Sequence, residues 1–149
     1  MTYSNFRIQL AIGQRWERVA STKLIQYYKS KHAKEYTVLS TNNDNRYDFI
    51  LSNNRSYEVK YDNMAAKTNN VFIEFEGYGK PSGIDVSLAN FYIIIVPFTT
   101  ILMLKIKASR LKTLIKKGLY RRIYSDIEKK GYIFDISVIC ANSINICNK

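Results

Sequence analysis

Residues 47–60 read YDFILSNNRSYEVK. Two apolar-rich stretches flank an Asn-Asn turn signal at residues 53–54, and this pattern predicts a β-hairpin. Three charged residues, Asp48, Glu58 and Lys60, stand inside these otherwise core-like strands. A charge buried in a strand is costly unless it is paired or holds a metal ion. The spacing therefore indicates a functional cluster in the hairpin.

The length of the hairpin loop decides whether the three charges share one face. A two-residue loop at positions 53–54 would set Asp48 opposite Val59, on the wrong face of the hairpin. A three-residue loop over residues 53–55 pairs Ile50 with Glu58 and Asp48 with Lys60, which places all three charges together. We therefore expect a three-residue loop or a compensating bulge, and a flat two-residue hairpin would contradict the cluster.

The rest of the chain is patterned like an ordinary α/β domain. At 149 residues, with 46% hydrophobic and 13% aromatic residues, it is long enough for a single domain, 1–149, with a sizeable core. We predict a mixed central sheet flanked by helices. The predicted helical segments are residues 13–34, 110–117 (capped by Ser109 and ended by Gly118), 120–130 and a short turn at 86–90. The predicted strands are residues 36–40, 46–52, 56–61, 71–76, 91–98, 101–107 and 132–140, with a turn at 42–45 and loops at 62–70 and 77–83.

The charge balance favours a polyanionic partner. The chain has 23 Lys and Arg residues against 12 Asp and Glu, a net charge of +11. Clustered basic charge attracts phosphate, so we expect nucleic acid, and not a membrane, as the partner. A solvated lysine-rich face is the alternative interpretation. The expected phosphate contacts are Lys80, Lys112, Lys116, Lys117, Arg121 and Arg122.

Several classes of protein are disfavoured by what the sequence contains. His32 is the single histidine and lies in a charged, helix-end context, so histidine-dependent triads and zinc hydrolases are disfavoured. The longest apolar run, residues 91–104, is interrupted by Pro97 and is too short to span a bilayer. Cys140 and Cys147 lack CxxC spacing, so we expect idle thiols. With an N-terminus that has no apolar signal segment, we expect an intracellular protein that is not secreted.

Carboxylates and a lysine suit the hydrolysis of phosphodiesters. A divalent metal can polarise a phosphoryl oxygen and activate water, and hard cations prefer oxygen ligands. Asp48 and Glu58 would supply carboxylates, and the Val59 carbonyl is a further candidate ligand. Residues two apart on a strand point the same way, so Lys60 lies beside Glu58 and could orient water or stabilise developing charge. The alternative is that all three are solvated surface charges of a hairpin.

These residues resemble the PD-(D/E)XK nuclease superfamily, whose core is an αβββαβ unit. The resemblance rests on Asp48, on residues 58–60 and on an upstream helix that bears Glu17. The segments TNNVFIEFE (68–76), GKPSGI (79–84) and SLANFYI (87–93) are similar to small phage and viral members. The resemblance covers residues 14–98 and leaves 99–149 as a basic C-terminal extension.

The resemblance implies a restriction-endonuclease-like fold. In that family the positions of Asp48, Glu58 and Lys60 form the catalytic core, and the position of Glu17 is an accessory metal or water ligand. Glu74 and Glu76, which alternation predicts on one face of their strand, stand where some members place another acidic residue. Of the two, Glu74 is the preferred candidate metal ligand, because Glu76 adjoins the glycine loop. Tyr47 departs from the proline of the family name. We predict only structural roles for Ser87 and Tyr92.

The implied activity is that of a metal-dependent endodeoxyribonuclease of viral or phage type. Mg²⁺ or Mn²⁺ is the implied cofactor, DNA is preferred over RNA as substrate, and a viral protein would act in the cytoplasm or nucleus of a host cell. The alternatives are an RNA endonuclease, a non-catalytic or partner-dependent nucleic-acid-binding module on the same fold, and a structural protein with fortuitous charges. A homodimer would suit a junction resolvase, but the sequence identifies no dimer face.

Overall fold

Two β-sheets and one long helix make up the mixed α/β architecture of the computed structural model, which describes residues 3–41 and 46–147. The predicted turn at 42–45 lies outside the described residues. Sheet A has six strands and sheet B has four. In spatial order, sheet A contains β1 (Val38–Thr41), β2 (Phe49–Leu51), β3 (Ser56–Tyr61), β6 (Phe91–Val96), β7 (Leu102–Lys107) and β10 (Ile144–Asn145). Sheet B contains, in spatial order, β5 (Lys80–Pro81), β4 (Asn70–Gly77), β9 (Lys129–Asp135) and β8 (Arg122–Ser125).

Sheet A is mixed, as predicted. Strands β1, β2 and β3 form an antiparallel meander, β3 pairs with β6 in parallel, and β7 returns antiparallel to β6. Parallel neighbours require a crossover connection. Here the crossover contains the short helix α2 (Ala65–Thr68), strands β4 and β5, and a 3₁₀ turn at Gly83–Asp85. Sheet B joins that crossover to the C-terminal strands β8 and β9.

Strand β6 lies at the centre of the molecule, with apolar groups on both faces, as its continuous apolar run predicts. On one face Ile93 and Ile95 pack with Ala20 and Leu24 of the long helix α1 (Tyr3–His32). On the opposite face lies a second core shared by sheet B, by helix α3 (Ala108–Lys116) and by helix α4 (Ile136–Ala141). The chain beyond residue 98 therefore contributes to both sheets and to the core.

The predicted long helix and most of the strands are confirmed. Helix α1 covers residues 13–32 of the prediction and begins earlier, at Tyr3. The predicted helix near 110–117 is α3, and Gly118 follows it with a left-handed φ of 70°. Ser109 is not its N-cap, however. That position belongs to Lys107, whose side chain makes no capping hydrogen bond.

The predicted helix at 120–130 is wrong, because this stretch forms the antiparallel hairpin β8–β9. Strand β9 also pairs with β4, and Gly131 lies under the ring of Phe72, whose Cε2 would be only 2.3 Å from an added Cβ. The predicted strand at 132–140 is right only to Asp135. There the Asp135 side chain accepts a hydrogen bond from the N–H of Ser137 and caps α4.

The two predicted loops contain more structure than expected. Helix α2 interrupts the loop at 62–70, where the carboxylate of Asp62 accepts hydrogen bonds from the N–H of Ala65 (3.0 Å) and of Phe72 (2.9 Å). Residues 77–83 include β5, which pairs with β4. The helical turn predicted at 86–90 instead lies at Gly83–Asp85.

Among the described residues, no helix has both the length and the apolar character needed to cross a bilayer. Cys140 and Cys147 are free thiols.

Candidate active site

The β2–β3 hairpin turns through a three-residue loop. Phe49 pairs with Tyr57 and Ile50 with Ser56, so the loop is residues 52–54. The predicted loop, 53–55, is one residue too late, and the predicted pairs of Ile50 with Glu58 and of Asp48 with Lys60 are therefore wrong. The predicted and the observed loop both have three residues, so each strand residue points to the same face of the hairpin in both registers. Asp48 departs from this register as in a β-bulge, because its N–H donates to the carbonyl of Tyr57, the residue that pairs with Phe49.

Asp48 fills the edge of β3 where β2 has already ended. Its Oδ2 accepts a hydrogen bond of 2.7 Å from the N–H of Val59, and its own N–H donates to the Tyr57 carbonyl at 2.9 Å. In an extended strand the N–H and C=O of one residue point to the same edge. The Val59 carbonyl therefore opens toward Asp48, as a metal ligand in that position requires.

Glu58 and Lys60 lie side by side on β3, as the two-residue spacing predicts. The Nζ of Lys60 is 3.3 Å from Oε1 of Glu58. The side chain of Glu58 is only 14% exposed and that of Lys60 is 39% exposed. The ion pair thus brings a mostly buried carboxylate next to an ammonium group that solvent can reach.

Glu17 joins this group from helix α1. Trp16, its neighbour in the helix, stacks on Tyr61 of β3 with 4.8 Å between ring centres. The carboxyl group of Glu17 lies near those of Asp48 and Glu58, whose charges help to raise its pKa. The structure therefore brings together Glu17, Asp48, Glu58 and Lys60, which the sequence predicted as a catalytic group. We refer to the three acidic members as the carboxylate cluster.

The carboxylate cluster has three acidic groups and only one nearby lysine to balance their negative charge. Burial, followed by the charges of Asp48 and Glu58, raises the pKa of Glu17 to about 7. Burial also raises the pKa of Glu58 to about 7, although Lys60 acts in the opposite direction. The pKa of Asp48 is raised by burial too. Three acidic groups near one lysine favour proton uptake, and a bound cation would relieve the same repulsion.

The donor set suits a hard cation that keeps much of its water. Within residues 3–41 and 46–147, no group of three or more His, Cys, Asp and Glu side chains is arranged to hold a metal ion. Mg²⁺ is usually held by one or two carboxylates and completes its shell with water and substrate oxygens. Asp48, Glu58 and the Val59 carbonyl match that open arrangement in ligand chemistry.

Glu74 does not join the carboxylate cluster. It lies on β4 of sheet B, where its Oε2 accepts a hydrogen bond of 2.8 Å from the hydroxyl of Ser82. Glu76, the other acidic residue of this strand, pairs with Lys130 at 3.2 Å. A register irregularity separates Glu74 from Glu76, although simple alternation predicts that they share one face. Glu74 nevertheless lines a cleft that Lys60 also lines.

The predicted nucleic-acid contacts are spread over three surfaces. Lys80 is exposed on β5, while Lys116 and Lys117 are exposed at the end of α3. Lys112 lines a cavity of about 440 Å³ that Arg55 and Lys107 also line.

The two predicted arginines differ in their environment. Arg121 forms a salt bridge with Asp135, which leaves it less free to contact phosphate. Arg122 is exposed on β8 and lines the cleft beside Lys60. Arg122 is therefore the predicted basic contact that lines the same cleft as Lys60.

Tyr92 is a member of the site that sequence patterns do not reveal. It pairs with Glu58 across the parallel strands β3 and β6, and it is 1% exposed. Burial raises the pKa of its hydroxyl. A hydrogen bond with Ser87 lowers this pKa, and the charges of Glu58 and Asp48 raise it. Parallel pairing joins residues far apart in the chain, so no local spacing could place Tyr92 here.

Comparisons with protein-family models, with curated proteins and with solved structures give no match to this chain. The likeness to the PD-(D/E)XK superfamily therefore rests on the residues quoted above and stays a prediction.

Proposed function

We propose that this chain is a divalent-metal-dependent nuclease that hydrolyses phosphodiester bonds, an endodeoxyribonuclease of phage or viral type that prefers DNA to RNA. The observation that carries the proposal is the meeting of Glu17, Asp48, Glu58 and Lys60 beside β3, where β2 has ended. These side chains come from a helix and from both strands of a hairpin. The raised pKa values within the carboxylate cluster are typical of a functional site.

The order of elements supports a restriction-endonuclease-like core. Helix α1, the meander β1–β3, the crossover and the parallel strand β6 follow the sequence αβββαβ. The crossover departs from that pattern, because its helix α2 has only four residues and strands β4 and β5 follow it. We propose that β4 and β5 are an insertion into this core and form part of sheet B, near Lys60.

Asp48, Glu58 and the Val59 carbonyl would hold Mg²⁺ or Mn²⁺, with Glu17 acting through a coordinated water. When bound, such an ion polarises a phosphoryl oxygen and makes water a better nucleophile. The oxygen ligands and the unrelieved negative charge of the carboxylate cluster both suit this role.

Two side chains would act directly on the reacting groups. The exposed ammonium of Lys60 is placed to orient the attacking water and to stabilise negative charge as it develops on the phosphate. Glu17, with a pKa of about 7, exchanges its proton near neutral pH and is suited to accept a proton from that water.

A cleavage assay tests the proposal. Wild type and Lys60→Ala are incubated with linear duplex, single-stranded and branched DNA and with RNA, each in Mg²⁺, Mn²⁺ or EDTA. We expect cleavage that needs metal and that Lys60→Ala loses, whereas Lys34→Ala, a change at an exposed lysine outside both clefts, retains it. Equal cleavage by wild type and Lys60→Ala would contradict the proposal.

A nucleic-acid-binding module on the same fold is the second candidate. It is favoured by the exposed lysines at the end of α3, which suit phosphate contacts without chemistry. Metal-independent binding with no cleavage of any substrate would favour this module over the nuclease.

A further inference from the structure

A cleft of about 680 Å³ opens next to the proposed active site. Lys60 and Tyr92 of sheet A line it on one side, and Phe72, Arg122 and Tyr124 of sheet B line it on the other. The cleft is thus continuous with the lysine that would act on the scissile phosphate.

Aromatic and basic groups lie together on the sheet B side of the cleft. The rings of Phe72 and Tyr124 pack edge to face with 6.0 Å between their centres. The Nζ of Lys129 lies 5.2 Å from the centre of the Phe72 ring. Tyr124 is 37% exposed, and Arg122 beside it is exposed as well. Aromatic faces with flanking cations are how proteins hold unpaired nucleotides, by base stacking and phosphate contacts.

The size of the cleft favours a single strand over a duplex. Its volume of about 680 Å³ lies within the range of roughly 300–1,000 Å³ that holds a drug-sized ligand. A short stretch of unpaired nucleotides fits such a space. Stacking on Tyr124 also requires a base that has left its partner, because paired bases inside a duplex already stack on their neighbours.

We propose that this cleft binds unpaired nucleotides of the strand being cut, directly beside the scissile phosphate. The inference rests on the proposed function, because the carboxylate cluster and Lys60 would fix where the phosphate lies. The bases stack against Tyr124, and Arg122 and Lys129 contact phosphate. The substrates are therefore single strands or DNA with unpaired stretches, such as flaps, branches and melted ends.

Binding without cleavage tests this inference separately from the nuclease activity. Fluorescence anisotropy in EDTA measures the Kd of wild type for a short single-stranded DNA, for the RNA of the same sequence and for the matching duplex. We expect tighter binding to the single strands, and Tyr124→Ala to weaken single-strand binding by roughly tenfold while duplex binding changes less than twofold. The matched control Tyr78→Ala removes a tyrosine that is 78% exposed and lies outside the cleft, and it should change neither Kd.

A salt titration gives a second, independent readout on the same cleft. Arg122→Ala should lower the slope of log Kd against log salt concentration by roughly 0.7 for single-stranded DNA, as expected for one lost phosphate contact. Arg110→Ala, at an exposed position on α3 outside the cleft, should leave the slope unchanged. Equal weakening of single-strand and duplex binding by Tyr124→Ala, or no weakening at all, would overturn the inference. Cleavage of fully paired duplex by a wild type that lacks single-strand preference would leave the nuclease proposal standing and reject this one.

Discussion

The β2–β3 hairpin and the β8–β9 hairpin both carry many charges, but they place them in different environments. In the first, the side chain of Glu58 is 14% exposed and Asp48 satisfies the backbone of Val59. In the second, every residue of β8 is exposed, and the carboxylate of Asp126 binds the turn at its surface. Charges that are buried together have perturbed pKa values and can do chemistry, whereas solvated charges mainly organise a turn or attract a partner.

The substitution with the largest expected effect is Lys60→Ala in the β2–β3 hairpin, and the quantity it changes is the cleavage rate. Lys60→Ala should lower the rate of metal-dependent cleavage by at least about 100-fold, because it removes a group that stabilises charge developing on the phosphate. Lys130→Ala, in the second hairpin, removes only the partly exposed ion pair with Glu76 and should change the rate less than about twofold. The measurement is the single-turnover cleavage rate of both variants. Similar losses in the two variants would remove the contrast between the hairpins.

The next effect concerns the packing of the second hairpin. Gly131→Ala places a Cβ about 2.3 Å from the Phe72 ring and 2.7 Å from the Ile73 carbonyl oxygen, so β9 and β4 must separate. We expect a loss of about 1–3 kcal/mol in the free energy of unfolding, measured by urea denaturation. Gly13→Ala is the control, because nothing lies within 4 Å of its added Cβ on helix α1. It should stabilise the protein by about 1 kcal/mol, and equal effects of the two changes would contradict the packing described here.

A smaller effect separates the two hairpins by the sign of their pH dependence. The folded pKa of Glu58 is about 7 against 4.5 for the free side chain, so the stability it contributes is lost as the pH rises through 7. In EDTA, Glu58→Gln should therefore raise the free energy of unfolding by about 1–2 kcal/mol near pH 8 and change it little near pH 5.

Asp126 in the second hairpin provides the opposite case. Its pKa is lowered, first by the hydrogen bond from the Tyr124 hydroxyl, so its contribution is present above the pKa of the unfolded chain. Asp126→Asn should therefore lower stability to a similar extent near pH 5 and near pH 8. Urea denaturation of both variants at these two pH values is the measurement, and parallel pH profiles would show that the environments are alike.

The difference between the hairpins also explains what the sequence could predict. In β2–β3 the alternation of buried residues such as Phe49, Leu51 and Tyr57 marks the strands. Strand β8 is exposed along its whole length and has no such alternation of buried and exposed residues, so its sequence does not mark it as a strand. Its strand conformation depends on pairing with β9, which in turn pairs with the distant β4. Local patterns cannot supply those contacts.

The candidate site likewise has residues that local spacing predicts and residues that only long-range strand pairing brings in. The spacing of Asp48, Glu58 and Lys60 within one hairpin is a local signal, and the structure brings the three together. The exact loop was missed by one residue because Asn54 takes a left-handed φ of 63° and the Asn53 side chain binds the N–H of Arg55 at 2.9 Å. Tyr92 and Asn70 reach the cleft through long-range pairing.

The proposed nuclease requires a divalent cation in the carboxylate cluster, and calorimetric titration of Mn²⁺ measures that binding. Wild type, Asp48→Asn and Asp126→Asn are titrated at pH values from 6 to 8. We predict that wild type and Asp126→Asn bind Mn²⁺ with affinity that rises with pH and with release of protons from groups whose pKa is about 7. Asp48→Asn should lose this binding. Equal Mn²⁺ binding by wild type and Asp48→Asn, or affinity independent of pH, would contradict the account.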